Sequence, residues 1–211
     1  MSIKNILSNG LCLEDRYIPD YGHLAKTVQM LRDTGHSIVM TQGVYDLLHP
    51  GHTRYLNEVK SHGDILVVAV DSDDYTRARK QRENERRPVV PFEERLELLA
   101  NLRSIDILTI RDLDFHKEDP NYVNRIVHPD VLIMSKSTKD ITPENLAILE
   151  GLCGRVVMLE AKATISTTKR LRELLTDGAT GLVDHITDAI EEYFHQAGRE
   201  ISFKKGNGNG H

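Results

Sequence analysis

Apolar residues along the chain gather into five short runs, 37–41, 64–70, 105–110, 130–134 and 155–160, each rich in Val, Ile and Leu and separated by stretches of helical period. The run Asp64-Ile-Leu-Val-Val-Ala-Val70 is continuous rather than alternating, the pattern of a parallel strand covered on both faces. Before the first run, Leu24, Val28 and Leu31 fall at i, i+4 and i+7, which predicts a helix over 21–34 closed by Gly35. Further helices are predicted over 53–62, from Pro91 to about 102, over 143–152, from 165 through 175, and over 182–197, where Val183, Ile186, Ile190 and Phe194 form an apolar face. The stretch 111–129 is polar and irregular, with one short helix expected near 121–127. Strands alternating with helices imply an α/β fold, a doubly wound parallel five-stranded sheet with helices on both faces. Residues 1–20 show no period and read as an N-terminal arm, 21–180 as one domain, 181–203 as a C-terminal helix, and 204–211 as a compositionally disordered tail.

Composition narrows the partners. A net charge of −5 over 211 residues, with a pI near 6.1, supplies no overall basic field, so nucleic acid is not expected as a partner. A small phosphorylated ligand needs only local positive charge. Two well-separated cysteines give no disulfide framework, the first ten residues lack the apolar core of a signal peptide, and no run is apolar enough to span a bilayer. The expectation is a cytoplasmic protein without a membrane partner, its last helix packing on the domain or on a second subunit of a homodimer.

Candidate chemistry concentrates where the first strand hands over to the second helix. Thr41-Gln42-Gly43 ends an apolar run, a polar turn follows, and His49-Pro50-Gly51-His52 opens the helix. At such a junction unpaired N–H groups and the positive end of the helix dipole suit a phosphate, two imidazoles can donate to its oxygens, and Gly51 lets the backbone approach. A metal site is the competing reading, but Cys12 and Cys153 are distant in sequence and no third ligand has ligand-like spacing. Asp71-Ser-Asp-Asp74 stands at another strand's carboxyl end, where open α/β sheets place ligands. The basic stretch 75–87 reads either as a solvated charged loop or as a loop that closes over a triphosphate.

Gly43-Val-Tyr-Asp-Leu-Leu-His-Pro-Gly-His52 resembles the G-x-F/Y-D-x-x-H-x-G-H signature of the cytidylyltransferase-like nucleotidyltransferases. Arg87-Pro-Val-Val-Pro-Phe-Glu-Glu-Arg95 and Ile165-Ser-Thr-Thr-Lys169 resemble two further blocks of the same family in the same order, and together the blocks cover roughly 37–175. The resemblance implies a Rossmann-like fold and transfer of a nucleoside monophosphate from a nucleoside triphosphate, with Mg²⁺, to a phosphorylated small acceptor. It implies catalytic roles for His49, His52 and Lys80, and nucleotide contacts from Thr41, Gln42, Gly43, Val44, Tyr45 and Gly51 and from Ile165, Ser166, Thr167 and Thr168. Acceptor contacts are expected from Asp46, Arg79, Arg95 and Lys136. For Arg95 a structural pairing is the other reading, for Asp46 a turn-fixing role, and for 166–168 simple helix capping. The segment 72–80 and Arg87-Pro-Val are most like the heptose-1-phosphate adenylyltransferases, whereas Ile165-Ser-Thr-Thr-Lys169 also fits the glycerol-3-phosphate cytidylyltransferases. Where those relatives tend to place a Gly and an Asp after the fourth strand, this chain has Ser135-Lys-Ser-Thr-Lys-Asp140, which leaves the acceptor open. A non-catalytic nucleotide sensor on the same fold is the reading from another class.

Overall fold

The computed structural model describes residues 12–80, 87–136 and 142–160, together with Gly181, Ile186 and Asp188. The chain divides into two compact units, Met1–Thr164 and Ile165–His211. The predicted helices over 165–175 and 182–197 and the tail over 204–211 lie outside the described residues, apart from the three just named, each of which is helical.

In the first unit, all five apolar runs are strands: β1 (Ile38–Gly43), β2 (Ile65–Asp71), β3 (Ile107–Arg111), β4 (Val131–Ser135) and β5 (Arg155–Leu159). They form one parallel sheet in the order β3-β2-β1-β4-β5. β1 is central, pairing from Ile38↔Ile65 to Gly43↔Val70 on one side and at Val39↔Val131 on the other. The order of strands reverses between β1 and β4, so the carboxyl end of β1 lies at the switch point where doubly wound sheets bind ligands.

The period of two in each strand sends alternate residues to two cores. Ile38, Met40, Val67 and Ala69 pack with Leu24, Val28 and Leu31 of α1 (Tyr21–Asp33) and Val123 and Val127 of a later helix. Val39, Leu66, Val68 and Val70 pack instead with Leu56 and Val59 of α2 (Pro50–Lys60). The helix starts carry their own stops: Asp20 accepts from the His23 N–H at the head of α1, and Pro50 occupies the first position of α2.

Three elements differ from the sequence reading. Residues 73–80, expected within a charged loop, form α3 (Asp73–Lys80). Asp73 and Asp74 favour its first turn, Ser72 Oγ accepts from the Tyr75 N–H, and Tyr75 and Thr76 are buried, a short apolar face that the surrounding basic residues hide. The described part of the expected arm is tied to the sheet. Tyr17 bridges Leu108 in parallel, the Ile18 N–H donates to the Leu108 carbonyl, and Arg16 donates to the carbonyls of Leu102 and Ile105, so the open edge of β3 is covered. After α4 (Phe92–Ala100) and β3, the irregular stretch contains a one-turn helix, α5 (Leu113–His116), capped by Asp112, before α6 (Tyr122–Val127), the short helix that was expected. The last described helix, α7 (Pro143–Glu150), is capped by Thr142 and leads to β5. Among the described residues no helix is long and apolar enough to cross a membrane.

Candidate functional site

The turn between β1 and α2 is held in a shape its own residues do not favour. Tyr45 (φ 55°) and Leu47 (φ 45°) both sit in the left-handed region without being glycine. Two side chains from opposite directions lock it. The Asp46 carboxylate accepts from the N–H groups of Val89 and Val90 at 3.0–3.1 Å, tying the turn to the segment before α4. Arg95, on α4, donates to the Val44 carbonyl, to the Val90 carbonyl at 3.0 Å, to the Asp71 carbonyl at 2.9 Å and to the Asp73 carboxylate at 2.7 Å. With 0% exposure and its guanidinium spent on four protein oxygens, Arg95 takes the structural pairing of its two readings rather than reaching outward to an acceptor. Asp46 likewise fixes the turn, and does so through the distant segment at Val89 and Val90.

His49 is the N-cap of α2, in extended backbone, and its Nδ1 accepts from the Gly51 N–H at 3.1 Å. An accepting Nδ1 carries no proton, so in the neutral ring the proton is on Nε2, where it can be donated. His52, one turn along, stacks on it with centroids 3.9 Å apart at 23°, and Tyr45 meets His52 edge-on at 5.8 Å. Burial, reinforced by His49 and partly offset by Asp46, pushes His52 down to about 4, so it is neutral at physiological pH. Its Nδ1 is buried without a hydrogen-bond partner among the described residues. Thr41, at the carboxyl end of β1, shares a 3.0 Å hydrogen bond with Tyr55 of α2, and the Gln42 Oε1 beside it is buried and unpartnered among the described residues. The structure therefore brings Thr41, Gln42, Gly43, Val44, Tyr45, His49, Gly51 and His52 to one strand-turn-helix junction.

The second expected group reaches the same sheet edge from α3. Arg79 donates to Asp71 at 3.1 Å, and the other Asp71 oxygen accepts from Arg111, at the end of β3, at 2.9 Å. The Tyr75 ring lies 5.2 Å from the Arg79 guanidinium and 4.9 Å from that of Arg111. Lys80 closes α3, and its side chain lies outside the described residues. Lys136, just past β4, forms an exposed 2.6 Å ion pair with Glu160. Ile165, Ser166, Thr167 and Thr168 lie outside the described residues. Sequence reasoning missed Arg111, Tyr75 and His116; the available signal was a large polar side chain at the end of β3 and two more in the short helices that follow β2 and β3.

Comparison with known proteins gives three findings. A family model described as cytidylyltransferase-like matches residues 40–175. The bifunctional protein HldE of Aliarcobacter butzleri is 31% identical over 159 residues, and that of Salmonella paratyphi A 34% over 157. These matches cover 74% and 73% of this chain, which spans only 31% of the length of either relative. Among solved structures, the lipopolysaccharide core biosynthesis protein from Thermoplasma volcanium superposes with a TM-score of 0.51 at 29% identity, covering 59% of this chain and 97% of that one.

Proposed function

The chain belongs to the cytidylyltransferase-like family, and from that premise we propose that it transfers a nucleoside monophosphate, with ATP the favoured donor, to a phosphorylated small acceptor of the sugar 1-phosphate kind. The observation that carries this reading is the stacked imidazole pair of His49 and His52 at the start of α2, at the switch point of the sheet. The resemblance of 72–80 and Arg87-Pro-Val to the heptose-1-phosphate adenylyltransferases supports an acceptor like heptose 1-phosphate.

In this reaction an oxygen of the acceptor phosphate forms a bond to the α-phosphorus, the bond from that phosphorus to the bridging oxygen breaks, and pyrophosphate leaves with the electron pair. The nucleophile is already an anion, so no strong general base is needed. What remains is to align two polyanions and to stabilise charge on the α-phosphate and the leaving group. His49, with its proton on Nε2, donates to a phosphate oxygen, and His52 beside it gains a proton as the polyanion arrives. The N–H groups at the head of α2 face the same ligand. Mg²⁺ is proposed to be carried on the triphosphate itself, where it would neutralise phosphate charge. Lys80 and Arg79, at the end of α3, are the basic residues proposed to meet the substrates from the other side.

Ile165-Ser-Thr-Thr-Lys169 favours a second reading, a CTP-dependent enzyme acting on glycerol 3-phosphate or a similar polyol phosphate. Pyrophosphate release, followed with each of ATP, CTP, GTP and UTP against sugar, polyol and amino-alcohol phosphates, separates the two. Release requiring ATP and a sugar 1-phosphate supports the first, a CTP requirement the second, and binding without release a nucleotide sensor.

A further inference from the structure

A second polar cluster lies at the carboxyl end of β3, around Arg111 and His116. Arg111, the last residue of β3, and His116, the last of α5, are 3% and 1% exposed. Both pack on Tyr75, with the Arg111 guanidinium 4.9 Å and the His116 ring 5.5 Å from its centroid. Arg111 donates from Nη1 to Asp71 at 2.9 Å and from Nη2 to the Tyr75 hydroxyl at 3.0 Å and the Pro120 carbonyl at 3.2 Å. Its Nε–H is buried and unpartnered among the described residues. The Nδ1 of His116 lies 3.0 Å from the Asp112 carbonyl, which only accepts, so that nitrogen holds the ring proton and Nε2 is a bare acceptor. This Nε2 is also buried without a partner among the described residues. Burial first, and then the Arg111 charge, pushes His116 down to about 4, which keeps the ring neutral.

One buried donor and one buried acceptor are thus left open around a single tyrosine ring, an arrangement that costs free energy until something fills it. A hydroxyl group, donor and acceptor at once, satisfies both. The surroundings suit a carbon skeleton that carries such a group. Tyr122 lies 5.9 Å and Tyr21 6.2 Å from His116, and Phe115, 46% exposed, stacks on Tyr122 at 4.9 Å, so aromatic rings surround the imidazole and one of them reaches the surface. β3 is two strands from β1, on the order of 10 Å at the usual inter-strand spacing. A sugar or polyol phosphate spans that distance with its phosphate at the His pair.

We propose that the Arg111–His116 cluster is the subsite for the hydroxylated body of the acceptor, with Arg111 Nε and His116 Nε2 holding one hydroxyl and Phe115 and Tyr122 covering the skeleton. The subsite rests on the transfer reading only in naming its ligand the acceptor. A bound water is the other source of the same hydroxyl chemistry, and the experiment separates the two. Calorimetric titration of the intact protein compares glycerol 3-phosphate and glucose 1-phosphate with ethyl phosphate, which has no free hydroxyl on carbon. Wild type should bind at least one hydroxylated phosphate about tenfold more tightly than ethyl phosphate, a preference of the size one lost hydrogen-bond pair produces. His116→Leu should abolish that preference while leaving ethyl phosphate and ATP binding unchanged, and His116→Gln, which restores an acceptor, should recover part of it. Phe115→Ala, at a half-exposed position, should weaken the hydroxylated ligands alone, with a thermal melt to show that the variant is folded. No preference in the wild type, or a preference that survives in Phe115→Ala and in folded His116→Leu, overturns the proposal and leaves the cluster to water. Preference present and lost as expected, but without pyrophosphate release, overturns the transfer reading and keeps the subsite. Release with a preference indifferent to the variants does the reverse.

Discussion

His49 and His52 stack because a helix N-cap and the residue three places on lie over the same face of the first turn, and Pro50 and Gly51 between them fit a tight start to α2. Burial depresses the proton affinity of His52, and the neighbouring His49 ring adds to this. Two outcomes follow. His52→Ala should reduce turnover by about 10²–10³, the usual cost of one lost charge-stabilising donor, with little change in melting temperature, as steady-state pyrophosphate release and a thermal melt would show. A bound polyanion favours the protonated ring, so nucleotide binding above about pH 4 should take up a proton at His52, read as a dependence of the calorimetric binding heat on the ionisation heat of the buffer. Proton uptake unchanged in His52→Ala would assign it elsewhere.

At the scale of elements, the junction is braced from a distance. Asp46 and Arg95 join the β1–α2 turn to the segment before α4, to the end of β2 and to α3, and they allow two non-glycine residues at positive φ. Arg95→Met leaves the Asp73 carboxylate and three carbonyls without their donor and should cost about 3–5 kcal/mol in urea denaturation, whereas Arg125→Ala, which removes an exposed pair with Asp119, should cost no more than about 1 kcal/mol. The strands and most helices were legible in the sequence because their apolar residues recur at the periods of two and 3.6 that burial requires. α3 was not, because only Tyr75 and Thr76 mark its buried side amid basic residues. The roles of Arg95 and Asp71 were hidden for another reason. Apart from the Val90 carbonyl five residues back, the partners of Arg95 lie 22 to 51 residues away, and the Asp71–Arg111 pair is 40 apart; no local pattern encodes such pairings. The His pair was legible because strand, turn and helix start are contiguous in sequence.

For the whole molecule, His52 and His116 together set an acid limit. Both titrate near 4 when folded against 6.5 as the ordinary value, His52 through burial and His49, His116 through burial and Arg111. Above 6.5 neither ring is charged in either state and neither changes stability. Between 6.5 and 4 the unfolded chain binds these protons and the folded one does not, so the two rings destabilise the fold progressively as pH falls through that window. Melting temperature should therefore decline from pH 6.5 toward 4, and His52→Gln with His116→Gln should flatten the decline. The chemistry of transfer is followed with nucleoside triphosphate carrying ³²P at the α-position, incubated with Mg²⁺, sugar 1-phosphate and the protein. Label should appear joined to the acceptor while unlabelled pyrophosphate is released, and His52→Ala should slow both together. Label recovered instead in nucleoside diphosphate, with inorganic phosphate released, would mean attack at the γ-phosphorus and would contradict nucleotidyl transfer.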